Sequence, residues 1–167
     1  MPSDIQHWAD GLRRAHFPPE RNHLAAHVTL FHALPPSVEA EARSLLARLA
    51  ADNGPVRAEL SAVMSLGRGT ALRIDSPAMV DLRQQIAERF HGMLTAQDQG
   101  RPRLHVTVQN KVTLAEAIAL QQDLAATFEP RPFAFAGLAL HAYRGGPWEG
   151  LGRWSFHGVR KKPQVGG

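Results

Sequence analysis

Two stretches of the sequence, Ala26-His-Val-Thr-Leu-Phe-His-Ala33 and Leu104-His-Val-Thr-Val108, carry the same tripeptide. Both stretches alternate in polarity, which is typical of a β-strand with one solvent-facing side. In an extended chain a residue and its second neighbour point to the same face. We therefore expect His27 to share a face with Thr29, and His105 to share a face with Thr107. The same period places Gln109 on the face of His105.

The segments around the two motifs follow the same plan. Each motif is followed by a turn, a helix with a capping signal, and a long strand. The pattern predicts helices over 10–17, 37–51, 76–91 and 113–128, and strands over 26–33, 56–66, 70–74, 104–108, 133–143 and 153–159. Two copies of one strand-helix-strand plan indicate a duplicated α+β fold with antiparallel sheets.

The composition is that of an ordinary globular protein, with 167 residues, 44% of them hydrophobic and 20% charged. We expect one domain over 1–159, followed by a basic, disordered tail over 160–167. The absence of cysteine excludes disulfides, thiolate metal sites and a cysteine nucleophile. Without a signal peptide or a long apolar run, the expected location is the cytoplasm, with no membrane association and a monomeric state.

Two imidazoles and two hydroxyls brought together suit chemistry on a phosphodiester. In-line displacement at phosphorus needs a base for the attacking oxygen and an acid for the leaving oxygen, and histidine performs either role near neutral pH. The threonine hydroxyls can donate hydrogen bonds to the non-bridging oxygens, where charge builds up. His27, Thr29, His105 and Thr107 are therefore the candidate catalytic residues.

Other side chains are candidates for binding the rest of a substrate. Arg103 and Lys111 flank the second motif and could bind phosphate. Phe31 shares the predicted face of His27. Tyr143 could stack on a base, as could Trp148 and Trp154, although core packing explains tryptophans equally well.

Three other interpretations of the motifs remain open. A single His-Val-Thr copy is most simply a half-exposed strand, since threonine favours strands. A metal site is disfavoured, because His23, His27 and His32 do not align on one face of a strand and lack neighbouring carboxylates. We expect neither a metal nor another cofactor. A non-catalytic module that binds RNA or nucleotides would use the same groove.

Paired His-x-Thr-aliphatic motifs about eighty residues apart resemble those of the 2H phosphoesterases. The segment from His16 to Pro36 is similar to the bacterial 2′-5′ RNA ligase-like branch of that family. The resemblance covers about residues 5–159. It implies a bilobal α+β fold, in which two antiparallel sheets face a central groove and helices pack outside.

The resemblance also implies an activity and residue roles. Family members open 2′,3′-cyclic phosphates or related cyclic phosphodiesters, and some join RNA ends through a 2′-5′ linkage without ATP. By position, His27 and His105 would be the acid/base pair, and Thr29 and Thr107 would hold the phosphate. RNA ends or small cyclic nucleotides are the expected substrates.

The sequence departs from the family pattern in two places. Members usually begin with a hydrophobic strand before the first helix, whereas Met1-Pro2-Ser3-Asp4 leads almost directly into a helix. We therefore expect a strand of the first lobe to be missing. Members also often carry an arginine shortly after the second motif, where this chain has Gln109-Asn110-Lys111.

Overall fold

The helices and strands of this protein begin and end largely at residues with clear local signals. In the computed structural model, which describes residues 1–158, the four α-helices are α1 (Ser3–His16), α2 (Glu39–Asp52), α3 (Pro77–Arg89) and α4 (Leu114–Thr127). The six strands are β1 (Val56–Ser65), β2 (Gly69–Asp75), β3 (His105–Asn110), β4 (Arg131–Phe135), β5 (Gly137–Ala142) and β6 (Glu149–Ser155). Short 3-10 turns span Pro19–Arg21, Pro36–Val38 and Ala96–Asp98. The predicted tail over 160–167 lies outside the described residues.

Local signals position two of the helices. The Ser76 hydroxyl accepts a hydrogen bond from the Met79 amide at the start of α3, as an N-cap does. Thr113 and Glu116 form a capping box at the start of α4. Helix α1 is longer than the helix predicted over 10–17, since it begins at Ser3, directly after Pro2.

The strands form two antiparallel sheets. One sheet has four strands in the order β3-β2-β1-β4, and the other pairs β5 with β6. The predicted hairpin around Gly67 to Gly69 is confirmed as β1 and β2. The α+β class with antiparallel sheets is thus confirmed, while the bilobal duplication stays a prediction.

The predicted strand over 133–143 is wrong as a single strand. It is divided at Ala136 into β4, in the larger sheet, and β5, in the smaller one. The Phe156 amide donates to the Ala136 carbonyl, and a side chain at Gly137 would collide with the Trp154 backbone. The chain therefore passes from one sheet to the other at this point. Within residues 1–158 the last strand is β6, which begins and ends earlier than the predicted 153–159.

One hydrophobic core joins both sheets to the helices. Helix α1 packs along β3, α3 and α4 pack on β1, and α2 packs on β5 and β6. Leu60, Leu72 and Val106, from three neighbouring strands, are completely buried. The core thus fixes one face of β3 and leaves its other face for a site. None of the helices in residues 1–158 is long and apolar enough to cross a membrane.

Candidate active site

A single antiparallel β-bridge joins the two motifs. It pairs Val28 with Val106, the central residues of the two tripeptides. Both valines pack against the hydrophobic core. Carrying the register of the bridge one residue either way sets His27 opposite Thr107 and Thr29 opposite His105. The structure thus brings together two segments that are 78 positions apart in the sequence (106 − 28).

The four polar residues of the motifs lie on the side of the chain away from the core. His27 and Thr29 are exposed, whereas His105 and Thr107 are half-buried. Opposed residues of an antiparallel pair have Cβ atoms about 5 Å apart, and diagonal neighbours about 7–8 Å. The two histidines are diagonal neighbours in this register.

Both motif histidines make the same local contact. His27 Nδ1 lies 2.8 Å from the Ala25 carbonyl oxygen, and His105 Nδ1 lies 2.6 Å from the Arg103 carbonyl oxygen. A carbonyl can only accept, so each Nδ1 carries the proton and each Nε2 remains available to give or take one. His157, outside the motifs, makes the same contact with Ser155, so extended backbone suffices to form it.

The predicted strand over 26–33 is wrong. Beyond the Val28–Val106 bridge, the backbone of this segment forms hydrogen bonds to side chains instead of to a neighbouring strand. At Ala26, the amide donates to Asp10 Oδ1 at 2.6 Å, and the carbonyl accepts from Gln6 Nε2 at 2.8 Å. Gln6 also donates to Asp10 Oδ2 at 3.0 Å. Helix α1 therefore satisfies both backbone groups of the residue that precedes His27.

Arg83 on α3 binds the other end of the first motif. Its Nε donates to the Leu30 carbonyl at 2.9 Å, and its Nη2 donates to the Asp98 carbonyl at 2.6 Å. The guanidinium also lies 4.5 Å from the centre of the Phe31 ring. The Phe31 ring, which was predicted to share the face of His27, thus packs against the Arg83 guanidinium.

The buried Asp98 carboxylate holds the next two residues. It accepts hydrogen bonds from the His32 amide, the His32 ring Nδ1 at 2.8 Å, the Ala33 amide and the Thr95 hydroxyl. Burial alone would raise the pKa of Asp98, but these donors outweigh it and hold the pKa below its ordinary value. Asp98 therefore stays ionised and fixes the exit of the first motif.

Arg13 on α1 supports the second motif. Its Nη1 donates to the Thr107 carbonyl at 2.7 Å, and its Nε donates to Asn22 Oδ1 at 3.1 Å. The side chain is buried and stacks on Phe17. Burial lowers the pKa of Arg13, and the nearby Asp10 carboxylate opposes that shift. A buried cation thus contacts the backbone of each motif, Arg13 at one and Arg83 at the other.

Sequence reasoning missed these supporting residues. Gln6, Asp10, Arg83 and Asp98 contact backbone groups 16 to 66 positions away, and no local pattern marks such pairs. Arg73 also lies beside the second motif, because it pairs with His105 across β2 and β3. Its guanidinium binds Asp75.

The other predicted binding residues are dispersed. Arg103 and Lys111 are exposed at the two ends of β3, and Lys111 has a positive φ of 61°. Tyr143 is exposed after β5, with its ring 5.3 Å from that of Trp148. Gln109 does not share the face of His105, because a bulge turns it inward to accept a hydrogen bond from Thr70.

Histidine and carboxylate side chains can also form metal sites. Within residues 1–158, no three or more of them are grouped closely enough to hold a metal ion.

Comparisons with solved structures show the same fold. TT0787 of Thermus thermophilus is 15% identical with a TM-score of 0.58, and the match covers 95% of this chain and 94% of that one. E. coli LigT complexed with NADP+ is 17% identical with a TM-score of 0.56, with 93% of each chain covered. A protein described as a phosphoesterase is 19% identical with a TM-score of 0.55, over 93% of this chain and 94% of that one.

Sequence comparisons identify the family. No curated protein sequence matches the chain. A family model, that of the 2′-5′ RNA ligase superfamily, matches residues 1–147, which include both motifs and their supporting residues. This match and the shared fold confirm the resemblance to the 2H phosphoesterases and support a phosphoesterase or 2′-5′ RNA ligase-like activity. The chain therefore belongs to the 2′-5′ RNA ligase superfamily.

Proposed function

We propose that this protein is a metal-independent phosphoesterase that opens 2′,3′-cyclic phosphate ends of RNA or related cyclic phosphodiesters. The observation that carries the proposal is the Val28–Val106 bridge, which sets two His-Val-Thr tripeptides side by side in opposite directions. Such an approximately twofold arrangement suits an acid and a base that act on opposite sides of one phosphorus.

In the proposed reaction, one histidine takes a proton from water as the water oxygen bonds to phosphorus. The other histidine gives its proton to the ribose oxygen as the P–O bond of the ring breaks. The fixed Nδ1–H groups of His27 and His105 leave Nε2 for both transfers. A ribose 5′-hydroxyl in place of water would open the ring in the same way and form a 2′-5′ linkage without ATP, and in the reverse, ring-closing reaction the two histidines exchange roles.

The threonines and the buried arginines supply the electrostatic part of the mechanism. Thr29 and Thr107 would donate hydrogen bonds to the non-bridging oxygens. Arg13 and Arg83 add positive charge behind the two motifs, where burial limits screening by water. Lys111 and Arg103 are exposed cations at the ends of β3 that could meet the incoming phosphate.

The experiment is an assay of 2′,3′-cyclic nucleotides and RNA with 2′,3′-cyclic phosphate ends, performed in EDTA. We expect wild-type turnover with a bell-shaped pH profile. Losing one acid/base group costs about 10²–10⁴-fold in rate, so His27→Ala and His105→Ala should each lower kcat by that factor. His91→Ala is the matched control, because His91 is an exposed histidine after α3.

Turnover that survives either motif substitution, or that requires an added metal ion, would refute the proposal. Salt-sensitive RNA binding without turnover would instead support the alternative of a non-catalytic binding module.

A further inference from the structure

A cavity of about 290 Å³ lies beside the first motif, between α1 and residues 22–25. We call it the α1 pocket; its polar lining consists of Asp10, Arg13, Arg14, Asn22 and His23, and its wall includes Ala25. The function proposed above uses the charge of Arg13 but assigns no ligand to the pocket itself.

Arg13 contributes a positive charge to the pocket, and its neighbours balance that charge only in part. Its side chain is only 5% exposed. Among residues 1–158, its Nε and Nη1 donate to neutral acceptors, its Nη2 makes no hydrogen bond, and no carboxylate lies within ion-pair distance. The nearby Asp10 carboxylate compensates this charge only in part, so a further counter-charge from a ligand would stabilise it. An anion in the α1 pocket would do so.

The remaining lining favours an anion as well. Arg14 is exposed and forms no salt bridge within residues 1–158, and His23 is also exposed. Asp10 is the acidic group in the lining, but both of its oxygens already accept hydrogen bonds, from the Ala26 amide and from Gln6. At neutral pH the lining thus carries two positive charges, from Arg13 and Arg14, and one negative charge, from Asp10.

The pocket shares its walls with both motifs. The Ala25 carbonyl accepts the hydrogen bond of His27 Nδ1, and Arg13 donates to the Thr107 carbonyl. An anion bound in the pocket would therefore be a close neighbour of a phosphate held between the motifs. In an RNA end with a 2′,3′-cyclic phosphate, the nearest second phosphate is the one on the 5′ oxygen of the same nucleoside.

We propose that the α1 pocket binds this 5′ phosphate, and that the protein therefore prefers RNA ends over nucleosides that carry only the cyclic phosphate. The proposal rests on the function proposed above, and it adds the substrate class. Arg13 and Arg14 bind the phosphate, and Asn22 holds the Arg13 guanidinium in place.

The test uses two probes that differ by one phosphate: adenosine 2′,3′-cyclic phosphate and the same molecule with a 5′ phosphate. The 5′ phosphate should lower the wild-type KM at least fivefold. A hydrogen bond between charged groups contributes enough for about a tenfold change in affinity. Arg14→Gln should therefore raise KM about five- to tenfold for the 5′-phosphorylated probe and less than twofold for the other, with kcat unchanged.

The variants separate binding from folding. Arg14 is exposed, so its replacement leaves the core intact, and Arg48→Gln removes the same charge from an exposed position on α2 as the control. Equal KM values for the two wild-type probes, or equal effects of Arg14→Gln on both, would overturn the proposal.

A lack of turnover of both probes and of RNA with a 2′,3′-cyclic phosphate end would refute the proposed function instead. Calorimetry would then test the pocket by itself, at constant ionic strength. Tighter binding of the 5′-phosphorylated probe to the wild type than to Arg14→Gln would uphold the pocket, and equal binding would overturn it.

Discussion

The support of the first motif by a buried carboxylate makes Asp98→Asn a sensitive test of the structure. Asparagine has nearly the same shape, but it replaces one acceptor oxygen by a donor. The Asp98 side chain is 1% exposed and accepts from the His32 amide, the His32 ring, the Ala33 amide and the Thr95 hydroxyl. The variant therefore leaves about two of these donors without a partner.

A lost hydrogen bond to a charged acceptor costs about 1.5–3 kcal/mol, and because the donor residues are exposed, water offsets part of this loss. We thus expect the free energy of unfolding to fall by about 2–5 kcal/mol, a large part of the 5–15 kcal/mol typical of a domain. Urea unfolding at pH 7 measures this change. Asp123→Asn, at an exposed position of α4, is the control and should change stability by less than about 0.5 kcal/mol. A loss below about 1 kcal/mol for Asp98→Asn would refute the reasoning.

The pH dependence gives an independent check of the same contact. The pKa of Asp98 is lowered in the folded protein, because hydrogen bonds from His32, Ala33 and Thr95 outweigh the effect of burial. Its stabilisation is therefore fully present above the unfolded pKa of about 3.9 and is lost as the pH falls through the lower, folded pKa. The stability difference between wild type and Asp98→Asn should then shrink below about pH 4. A difference that stays constant from pH 7 to pH 3 would contradict an ionised Asp98.

Two further substitutions test the C-terminal end of β3. Lys111 has a φ of 61°, which is unfavourable for a side chain with a Cβ atom, so Lys111→Gly should raise the free energy of unfolding by about 0.5 kcal/mol. If Lys111 also binds phosphate, the KM for cyclic phosphate substrates should rise in the same variant; an unchanged KM would remove Lys111 from the site. In Gly69→Ala, the new methyl group would collide with the Gln109 carbonyl and displace the strand that carries His105. We expect a loss of about 1–3 kcal/mol in urea unfolding and a fall in kcat, whereas Gly100→Ala, which meets no neighbouring atom, should change neither.

The sequence correctly predicted those elements whose formation depends on interactions between residues that are close together in the chain. The capping box of Thr113 and Glu116 marked the start of α4, and the Gly67–Gly69 turn marked the β1–β2 hairpin. The two motifs were recognisable because both preserve side-chain types at a fixed spacing. These features need only neighbours within a few positions of the chain.

The incorrect predictions depended on distant partners. The segment around His27 has the alternation of a strand, but Asp10, Arg83 and Asp98 satisfy its backbone instead of a neighbouring strand. The two-residue period of β3 predicts that the Gln109 side chain points to the face of His105, but the bulge beside Thr70 turns it to the opposite face. Alternation in a single sequence cannot reveal which groups will bind a segment from elsewhere in the fold.

The unequal support of the two motifs also concerns the motion of the protein. His105 belongs to a strand that pairs with β2 along its length apart from one bulge, whereas His27 lies between isolated side-chain attachments at Ala26 and Leu30. Segments with few backbone hydrogen bonds open at a lower free energy than the core strands. The two halves of the site therefore differ in local stability, so His27 can adjust its position against a histidine that stays fixed. A site with one rigid half and one adjustable half would tolerate bound groups of different size without unfolding the sheet beneath it.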